Sequence, residues 1–233
     1  MDIQVSENPV KKNRKSTTAL LFFSGILISA YLTANIMAVK LINFNGITFF
    51  DAGTLTFPIT YIIGDIITEI WGFKMSRKII FITFFANIFL IIFTTIAMFL
   101  PSPDYMGKTD ASFNMIFAYV PRIVFASLIA FLVGELLNAF FMEKIRDKTG
   151  RKFLWVRTIG SSIIGYIFDS AIFSSIAFFG TVSVEDLIIM IAANFTAKML
   201  IEIVIGTPID YLLLHILRKN FNISRESLNS LDD

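Results

Sequence analysis

The sequence contains no cysteine and a single histidine, His215, among its 233 residues. Disulfides and thiolate metal ligands are therefore excluded, and one histidine does not supply the ligand set of a typical zinc site. Charged residues are also scarce, at 16% of the chain, whereas hydrophobic residues make up 55% and the mean hydropathy is +0.73. This composition excludes an ordinary water-soluble domain and is typical of a membrane protein.

Long apolar segments divide the chain into candidate transmembrane spans. Because a bilayer core about 30 Å thick requires about 20 apolar residues per helix, we predict an all-α membrane protein with six transmembrane helices over residues 19–217 and short tails at 1–18 and 218–233. The first segment shows no small-residue cleavage site, so we expect a retained span and not a signal peptide. Pro121 and Pro208 lie inside the two longest segments and are expected kink points. The predicted spans are 19–42, 55–71, 79–100, 113–142, 158–180 and 187–217.

The positive charges are distributed unequally among the segments that flank these spans. Sixteen of the 20 Lys and Arg lie in the two tails, the second-to-third connection and the fourth-to-fifth connection. The three remaining connections together contain one, Lys108. Because Lys and Arg close to span ends are retained in the cytoplasm during insertion, we predict six crossings with both termini in the cytoplasm.

Ionisable residues also occur within the predicted spans. A charge at the centre of a span adds roughly 2.5 to 3.5 kcal/mol to the cost of insertion, so these side chains should face a shared polar interior. Their spacing agrees with this, because Asp65 and Glu69 are four residues apart and lie on one face of a helix, as do Lys198 and Glu202. The seven that lie well inside the spans are Asp65, Glu69, Arg122, Glu135, Asp169, Lys198 and Glu202.

Other polar residues bear on what this interior does. In the fifth span, Ser161, Gly165 and Asp169 share one stripe, which favours close helix packing or space for a ligand. Asp210 and His215 lie near the predicted inner end of the sixth span, where solvation would explain them. An alternative to a binding site is that the charges within the spans only pair with one another and specify helix packing.

Several stretches occur in an order that resembles the queuosine precursor transporter family, which belongs to the wider vitamin uptake transporters. Asn35 in the first span is followed by FPITYIIGDIITEIWG with a basic connection after it. The fourth, fifth and sixth spans contribute YVPRIVFASLIAFLVGELLNAF, WVRTIGSSIIGYIFDSAIFSSIAFFG and AKMLIEIVIGTPIDYLL. The resemblance extends from about Asn35 to Tyr211 and so covers nearly the whole membrane part.

The resemblance implies import of a queuosine precursor, 7-cyano- or 7-aminomethyl-7-deazaguanine, across a bacterial inner membrane, with no enzymatic activity, cofactor, metal or nucleic-acid partner. The guanine-like edge offers N–H donors to a carboxylate and a carbonyl oxygen that needs a donor, and the ring can stack on Phe. The family pattern differs at Glu135 and Asn138, which are not carried over. The substrate-binding residues that the resemblance implies are Asn35, Asp65, Glu69, Arg122, Asp169 and Lys198.

The wider group is also similar in outline to the substrate-binding subunits of energy-coupling-factor importers, which contact a coupling subunit through a small-residue stripe on the first helix. Ala30, Ala34 and Ala38 would suit that contact, although such stripes usually serve internal packing. Two other functions stay open. One is a carrier or binding subunit for another vitamin-like solute, and the other is an intramembrane aspartyl protease with Asp65 and Asp169 as its dyad.

Overall fold

A computed structural model describes residues 9–44, 47–118, 121–150, 153–180, 183–220 and 223. Helices dominate this part of the chain, as predicted. Short 3-10 turns lie at Ala52–Leu55 and Asp104–Met106, and a π-helical turn lies at Glu202–Gly206. The α-helices are α1 Pro9–Met37, α2 Phe57–Trp71, α3 Phe73–Met98, α4 Gly107–Ala118, α5 Pro121–Thr149, α6 Leu154–Phe178, α7 Val184–Ile201 and α8 Thr207–Asn220.

Five helical stretches in the described residues are long and apolar enough to cross a membrane, so the chain is a helical, multi-pass membrane protein. The predicted second span differs from these five. It forms α2, which has 15 residues and is therefore only about 22 Å long, less than a bilayer core. The five stretches are Arg14–Met37, Phe73–Met98, Phe125–Thr149, Leu154–Phe178 and Leu187–Lys219.

A short β-hairpin follows α1 and is an element that the all-α prediction did not include. Strand β1, Leu41–Phe44, pairs antiparallel with β2, Ile47–Asp51. Asn45 and Gly46 lie between the strands and outside the described residues. Asn-Gly is a strong hairpin signal because both residues tolerate positive φ angles, so the sequence contained a cue for this hairpin.

Both prolines that we expected to kink a helix lie at helix boundaries. The predicted fourth span is divided between α4 and α5, and Pro121 is the first residue of α5, where its missing N–H costs nothing. Tyr119 and Val120, between the two helices, lie outside the described residues. Pro208 lies in the first turn of α8, directly after the π-helical turn. Pro208 has no N–H and cannot donate a hydrogen bond to the preceding turn, which explains why that turn is π-helical and not α-helical.

The outer surface of the bundle exposes many large apolar side chains, whereas its interior contains buried polar and charged side chains among apolar ones. Large apolar side chains point outward along α3, where Phe85, Phe89 and Phe93 are 62%, 63% and 53% exposed. In contrast, α2 contacts α1, α3, α5 and α8, and each of its residues from Thr60 to Ile70 is buried. Exposed apolar side chains around buried charges are the pattern expected of a bundle surrounded by lipid.

Helices α5 and α6 approach each other most closely, and glycine permits the approach. A Cβ atom at Gly134 would lie 2.9 Å from Cβ of Asp169, 3.0 Å from the Tyr61 hydroxyl and 3.2 Å from the Gly165 carbonyl oxygen. There is no room for a methyl group at this crossing. Since lipid is as apolar as the side chains, such backbone proximity and van der Waals contact hold membrane helices together.

We expect Gly134→Ala to lower the free energy of unfolding by about 1 to 3 kcal/mol, because the added methyl forces α5 away from α6. Gly25→Ala is the matched control, since a Cβ atom at Gly25 has nothing within 4 Å. That variant should be as stable as the wild type or slightly more stable. Melting temperatures in detergent would measure both effects, and equal melting temperatures for the two variants would contradict the close α5–α6 approach.

Candidate functional site

One face of α2 organises the polar interior of the bundle. Phe57, Tyr61, Asp65 and Glu69 follow one another at intervals of four residues, so each lies about 6 Å further along the helix than the one before. Tyr61, Asp65 and Glu69 are at most 1% exposed. The other helices bring different partners to each of these four levels, and the interior is therefore layered along α2.

At the level of Phe57 lies a small cavity that contains an ion pair, which we call the ion-pair cavity. Lys198 of α7 donates to the carboxylate of Asp169 of α6, and the two side chains are only 11% and 2% exposed. The Lys198 ammonium also lies 4.6 Å from the centre of the Phe57 ring, within the range of a cation–π interaction. A buried charge pair with an aromatic neighbour thus forms the wall of this cavity.

Asn35 of α1 lines the same cavity and is held in a defined orientation. Its Oδ1 accepts a hydrogen bond of 2.7 Å from the Ser127 hydroxyl, and its Nδ2 donates to the carbonyl oxygen of Tyr31 at 3.2 Å. One amide hydrogen is left for another acceptor. The structure therefore brings together three of the six predicted site residues, Asn35, Asp169 and Lys198, around a cavity of about 30 Å³.

A pair of tyrosines occupies the next level. The rings of Tyr61 and Tyr166 have centroids 4.3 Å apart, and both residues are at most 2% exposed. The Tyr166 hydroxyl donates to a carboxylate oxygen of Glu202 at 3.1 Å. This tyrosine pair separates the ion-pair cavity from the carboxylates at the next level and is bonded to one of them.

The third level is a cluster of carboxylates, which we call the acidic cluster. Oxygen atoms of Asp65, Glu202 and Asp210 lie within 4.8 Å of one another. Asn138 of α5 donates a hydrogen bond of 2.7 Å from its Nδ2 to Asp65. Neither Glu202 nor Asn138 was among the predicted substrate-binding residues: Asn138 was not carried over because the family pattern differs there, and Glu202 was predicted only to face the polar interior.

The prediction for Asp210 was wrong. We expected solvent to surround it near the end of the sixth span, whereas its side chain is fully buried because α8 packs against α2. His215, five residues further along α8, is exposed as predicted. Their spacing of five residues places the two side chains on different faces of the helix, and only the packing of α8 decides which face is buried.

At the fourth level, Glu69 is surrounded by arginines, which with it form the arginine cluster. Arg157 and Arg218 donate to the Glu69 carboxylate at 2.9 Å and 3.1 Å, and Arg146 lies 3.6 Å from its other oxygen. Arg157 is completely buried, although its position in the sequence indicated a connecting loop. Three helices, α5, α6 and α8, thus converge on one carboxylate. Glu69 lies three helical turns from Phe57 and hence far from the ion-pair cavity.

The remaining predicted residues fall into three groups. The side chain of Arg122 lies outside the described residues. The polar stripe of α6 faces the interior as predicted, and Ser161, Gly165 and Asp169 are all buried. The α1 stripe packs internally, since Ala30 and Ala34 are 9% and 1% exposed and Ala38 is half-buried. A contact between this stripe and a coupling subunit remains a prediction that the burial does not favour.

The separation of Asp65 from Asp169 argues against a protease dyad. Two catalytic aspartates must share a proton and so must lie side by side. Here Asp169 is paired with Lys198, whereas Asp65 contacts Asn138 in a different layer. The Tyr61–Tyr166 pair lies between the two layers.

Comparison with known proteins gives a consistent result. The family model described as "Putative vitamin uptake transporter" matches residues 51–213. The "Probable queuosine precursor transporter" of Bacillus subtilis (strain 168) is 24% identical over 78% of this chain and 79% of its own length. The "Queuosine precursor transporter" of Escherichia coli (strain K12) is 27% identical over 77% of this chain and 79% of its own length. A "Probable queuosine precursor transporter" of Haemophilus influenzae (strain ATCC 51907 / DSM 11121 / KW20 / Rd) is 32% identical over 54% of this chain and 51% of that protein.

No solved structure matches the chain. The family match begins just before α2 and continues into α8, so it includes residues of all four levels of the polar interior, although Asn35 and Arg218 lie outside it. The relatives are transporters and not enzymes, in agreement with the sequence prediction. The chain therefore belongs to the vitamin uptake transporter family.

Proposed function

We propose that this protein imports queuosine precursors, 7-cyano- or 7-aminomethyl-7-deazaguanine, across the bacterial inner membrane and binds them at the ion-pair cavity. The observation that carries this proposal is that all three curated relatives are named for queuosine precursor transport, two of them over more than three quarters of both chains. A helical bundle suits the inner membrane, since outer-membrane proteins of bacteria are mostly β-barrels.

The chemistry of the ion pair suits a guanine-like edge. On such an edge, a ring N–H and an amino group point the same way and can both donate to one carboxylate, here Asp169. The adjacent carbonyl oxygen can accept from Lys198. A ligand inserted between Asp169 and Lys198 would thus replace each partner of the ion pair with a complementary atom, and neither charge would be left unpaired. Phe57 and Phe173, which line the same cavity, offer faces for stacking.

The volume of the cavity implies that binding requires movement. Pockets for small molecules usually have volumes of about 300 to 1,000 Å³. The ion-pair cavity, with about 30 Å³, holds no purine-sized ligand in this conformation. The structure is therefore interpreted as a closed conformation, in which the ion pair and the tyrosine pair fill the space that substrate would occupy.

We further propose that α2 completes a set of six spans and that both termini are cytoplasmic, with tails at 1–18 and 218–233. The 3-10 turn directly before α2 lengthens the helical segment that would form this span. In this orientation the ion-pair cavity faces the outside, and the arginine cluster lies at the cytoplasmic end. The buried Glu69–Arg157 contact then closes the inner end of the pathway.

The absence of cysteine makes this orientation easy to test. Lys108 and Lys148 are both exposed and lie on opposite sides of the proposed topology. We expect a membrane-impermeant maleimide to label the Lys108→Cys variant in intact cells, and to label the Lys148→Cys variant only after permeabilisation. The reverse labelling pattern would contradict the proposed orientation.

The function itself is tested by measuring queuosine in tRNA. The host should lack both precursor synthesis and its own carrier, and should be supplied with nanomolar 7-cyano- or 7-aminomethyl-7-deazaguanine. We expect queuosine to return only when this chain is present. If it does not return despite verified membrane expression, the substrate assignment is wrong. The second candidate, uptake of another vitamin-like solute, is favoured by the description of the family model and would then be pursued.

A further inference from the structure

We propose that the acidic cluster binds a small monovalent cation, a proton or Na⁺, that crosses the membrane together with the substrate. This inference rests on the proposed transport function, and it identifies the cation gradient as the source of energy for substrate uptake. The site consists of Asp65, Glu202 and Asp210, with Glu135 and Asn138 beside them. No substrate contact is required of Asp210 in this proposal.

Three separate helical elements provide the carboxylates that would bind the cation. Asp65 belongs to α2, Glu202 to the π-helical turn and Asp210 to α8, and their oxygen atoms lie within 4.8 Å of one another. Three oxygens at such distances can surround one small cation. Because the three residues belong to three separate elements, occupancy would change how these elements pack together.

The charge of these carboxylates is not compensated. Among the residues that the structure describes, no ion pair is found for Asp65, Glu135, Glu202 or Asp210. Within the described part of the chain, both oxygens of Asp210, both of Glu135 and one of Asp65 have no hydrogen-bond partner. These three residues and Glu202 are each at most 1% exposed. Several buried carboxylates cannot remain ionised together without a counter-charge, so protons or another cation must neutralise them.

The amide of Asn138 supplies an independent observation. Asn138 is fully buried, and its Nδ2 donates to Asp65, which places the amide at the cluster. Its Oδ1 has no hydrogen-bond partner among the residues that the structure describes. An uncharged oxygen left without a donor beside carboxylates is a further ligand for a cation. By contrast, Asp169 has Lys198 and Glu69 has its arginines, so the uncompensated charge is confined to the layer between them.

The position of the cluster provides a route to the substrate site. Glu202 accepts the hydrogen bond of Tyr166, whose ring contacts Tyr61 below the ion-pair cavity. A cation that neutralises Glu202 weakens this hydrogen bond and so alters the tyrosine pair. Coupling then means that substrate and cation favour the same conformer. The other titratable groups that face the cluster are Tyr61 and Glu69 of α2, Glu135 of α5, and Tyr166 and Asp169 of α6.

The test uses the full-length protein in proteoliposomes with radiolabelled 7-cyano-7-deazaguanine, which carries no charge at neutral pH. One arm has an inward proton gradient of one pH unit with the membrane potential clamped, and a second has a tenfold inward Na⁺ gradient at equal pH. With one cation per substrate, we expect about tenfold accumulation in the arm that supplies the coupling cation. The two arms thereby distinguish the proton from Na⁺.

The Asp210→Asn variant should lose this accumulation and still exchange labelled for unlabelled substrate when no gradient is present. Asp104→Asn, an exposed site, should behave like the wild type in both assays. If Asp210→Asn fails to fold, the same result is expected of Glu202→Gln. Exchange by the wild type without accumulation in either arm, or accumulation that survives in Asp210→Asn, would overturn the proposal. Absence of exchange in the wild type would instead overturn the proposed transport of this substrate.

Discussion

Replacing Asp169 with Asn is expected to lower precursor uptake roughly 10- to 150-fold, because one charge-assisted hydrogen bond contributes about 1.5 to 3 kcal/mol. The variant loses the acceptor for the donor edge of the ligand and leaves the buried Lys198 without its partner. Uptake would be measured as queuosine in tRNA and normalised to the amount of protein in the membrane.

Two controls separate binding from folding in this experiment. Asp104→Asn carries the same substitution at an exposed site and should leave uptake unchanged. The double variant Asp169→Asn with Lys198→Met removes both charges, so its membrane abundance should recover while its uptake stays low. Recovery of uptake in the double variant would show that the ion pair only specifies helix packing, which is the alternative to a binding site given in the sequence analysis.

Replacing Glu69 with Gln is expected to lower the free energy of unfolding by about 3 to 5 kcal/mol, the usual cost of leaving a buried charge without its partner. Glu69 contacts Arg157, Arg218 and Arg146, so the substitution removes a carboxylate that these three arginines share. The effect should appear as a lower melting temperature in detergent and a lower abundance in the membrane.

Arg218→Gln is the matched control for the Glu69 experiment. Its side chain is 38% exposed, and solvent therefore screens most of its interaction with Glu69, so we expect a loss of about 1 kcal/mol or less. Arg157→Gln should resemble Glu69→Gln, since Arg157 is wholly buried. Equal losses from Arg218 and Arg157 would contradict the view that burial determines the strength of this cluster.

The same variants also decide whether Glu69 binds substrate, as the sequence resemblance implied. Added precursor should raise the melting temperature of Glu69→Gln by as much as that of the wild type if Glu69 only holds the cytoplasmic end together. Loss of the ligand-induced shift would place Glu69 in the binding site. The structure favours the first outcome, because arginines already occupy its carboxylate.

The layers of the interior along α2 differ in how their carboxylates are paired. The Asp169–Lys198 ion pair lies at one end, Glu69 with its three arginines lies at the other, and between them lie carboxylates that have no ion pair among the described residues. A transporter must break and re-form ion pairs and hydrogen bonds as it changes conformation. The acidic cluster contains no Lys or Arg partner in the described residues, and it can therefore respond to the binding of a cation. The shortness of α2 is consistent with a central role, since its residues from Thr60 to Ile70 are all buried against other helices.

The sequence predicted the helical membrane class and the presence of buried charges in the interior. These properties are local, because hydropathy is summed along one segment and the four-residue spacing of Asp65 and Glu69 assigns both to one helix face. The family resemblance rested on ordered motifs and was confirmed by the match to residues 51–213. The hairpin signal of Asn45 and Gly46 was also local, and it was overlooked within a segment interpreted as a loop.

The partners of the charges were decided only by the tertiary structure. Glu69 and Arg157 are separated by 88 residues, and nothing in either segment specifies that they meet. Asp210 looked solvated by its place in the span, yet the packing of α8 against α2 buries it beside Asp65. The physical reason is that a periodic pattern determines which face of a helix is polar, whereas the choice of partner depends on how separate helices rotate and approach one another.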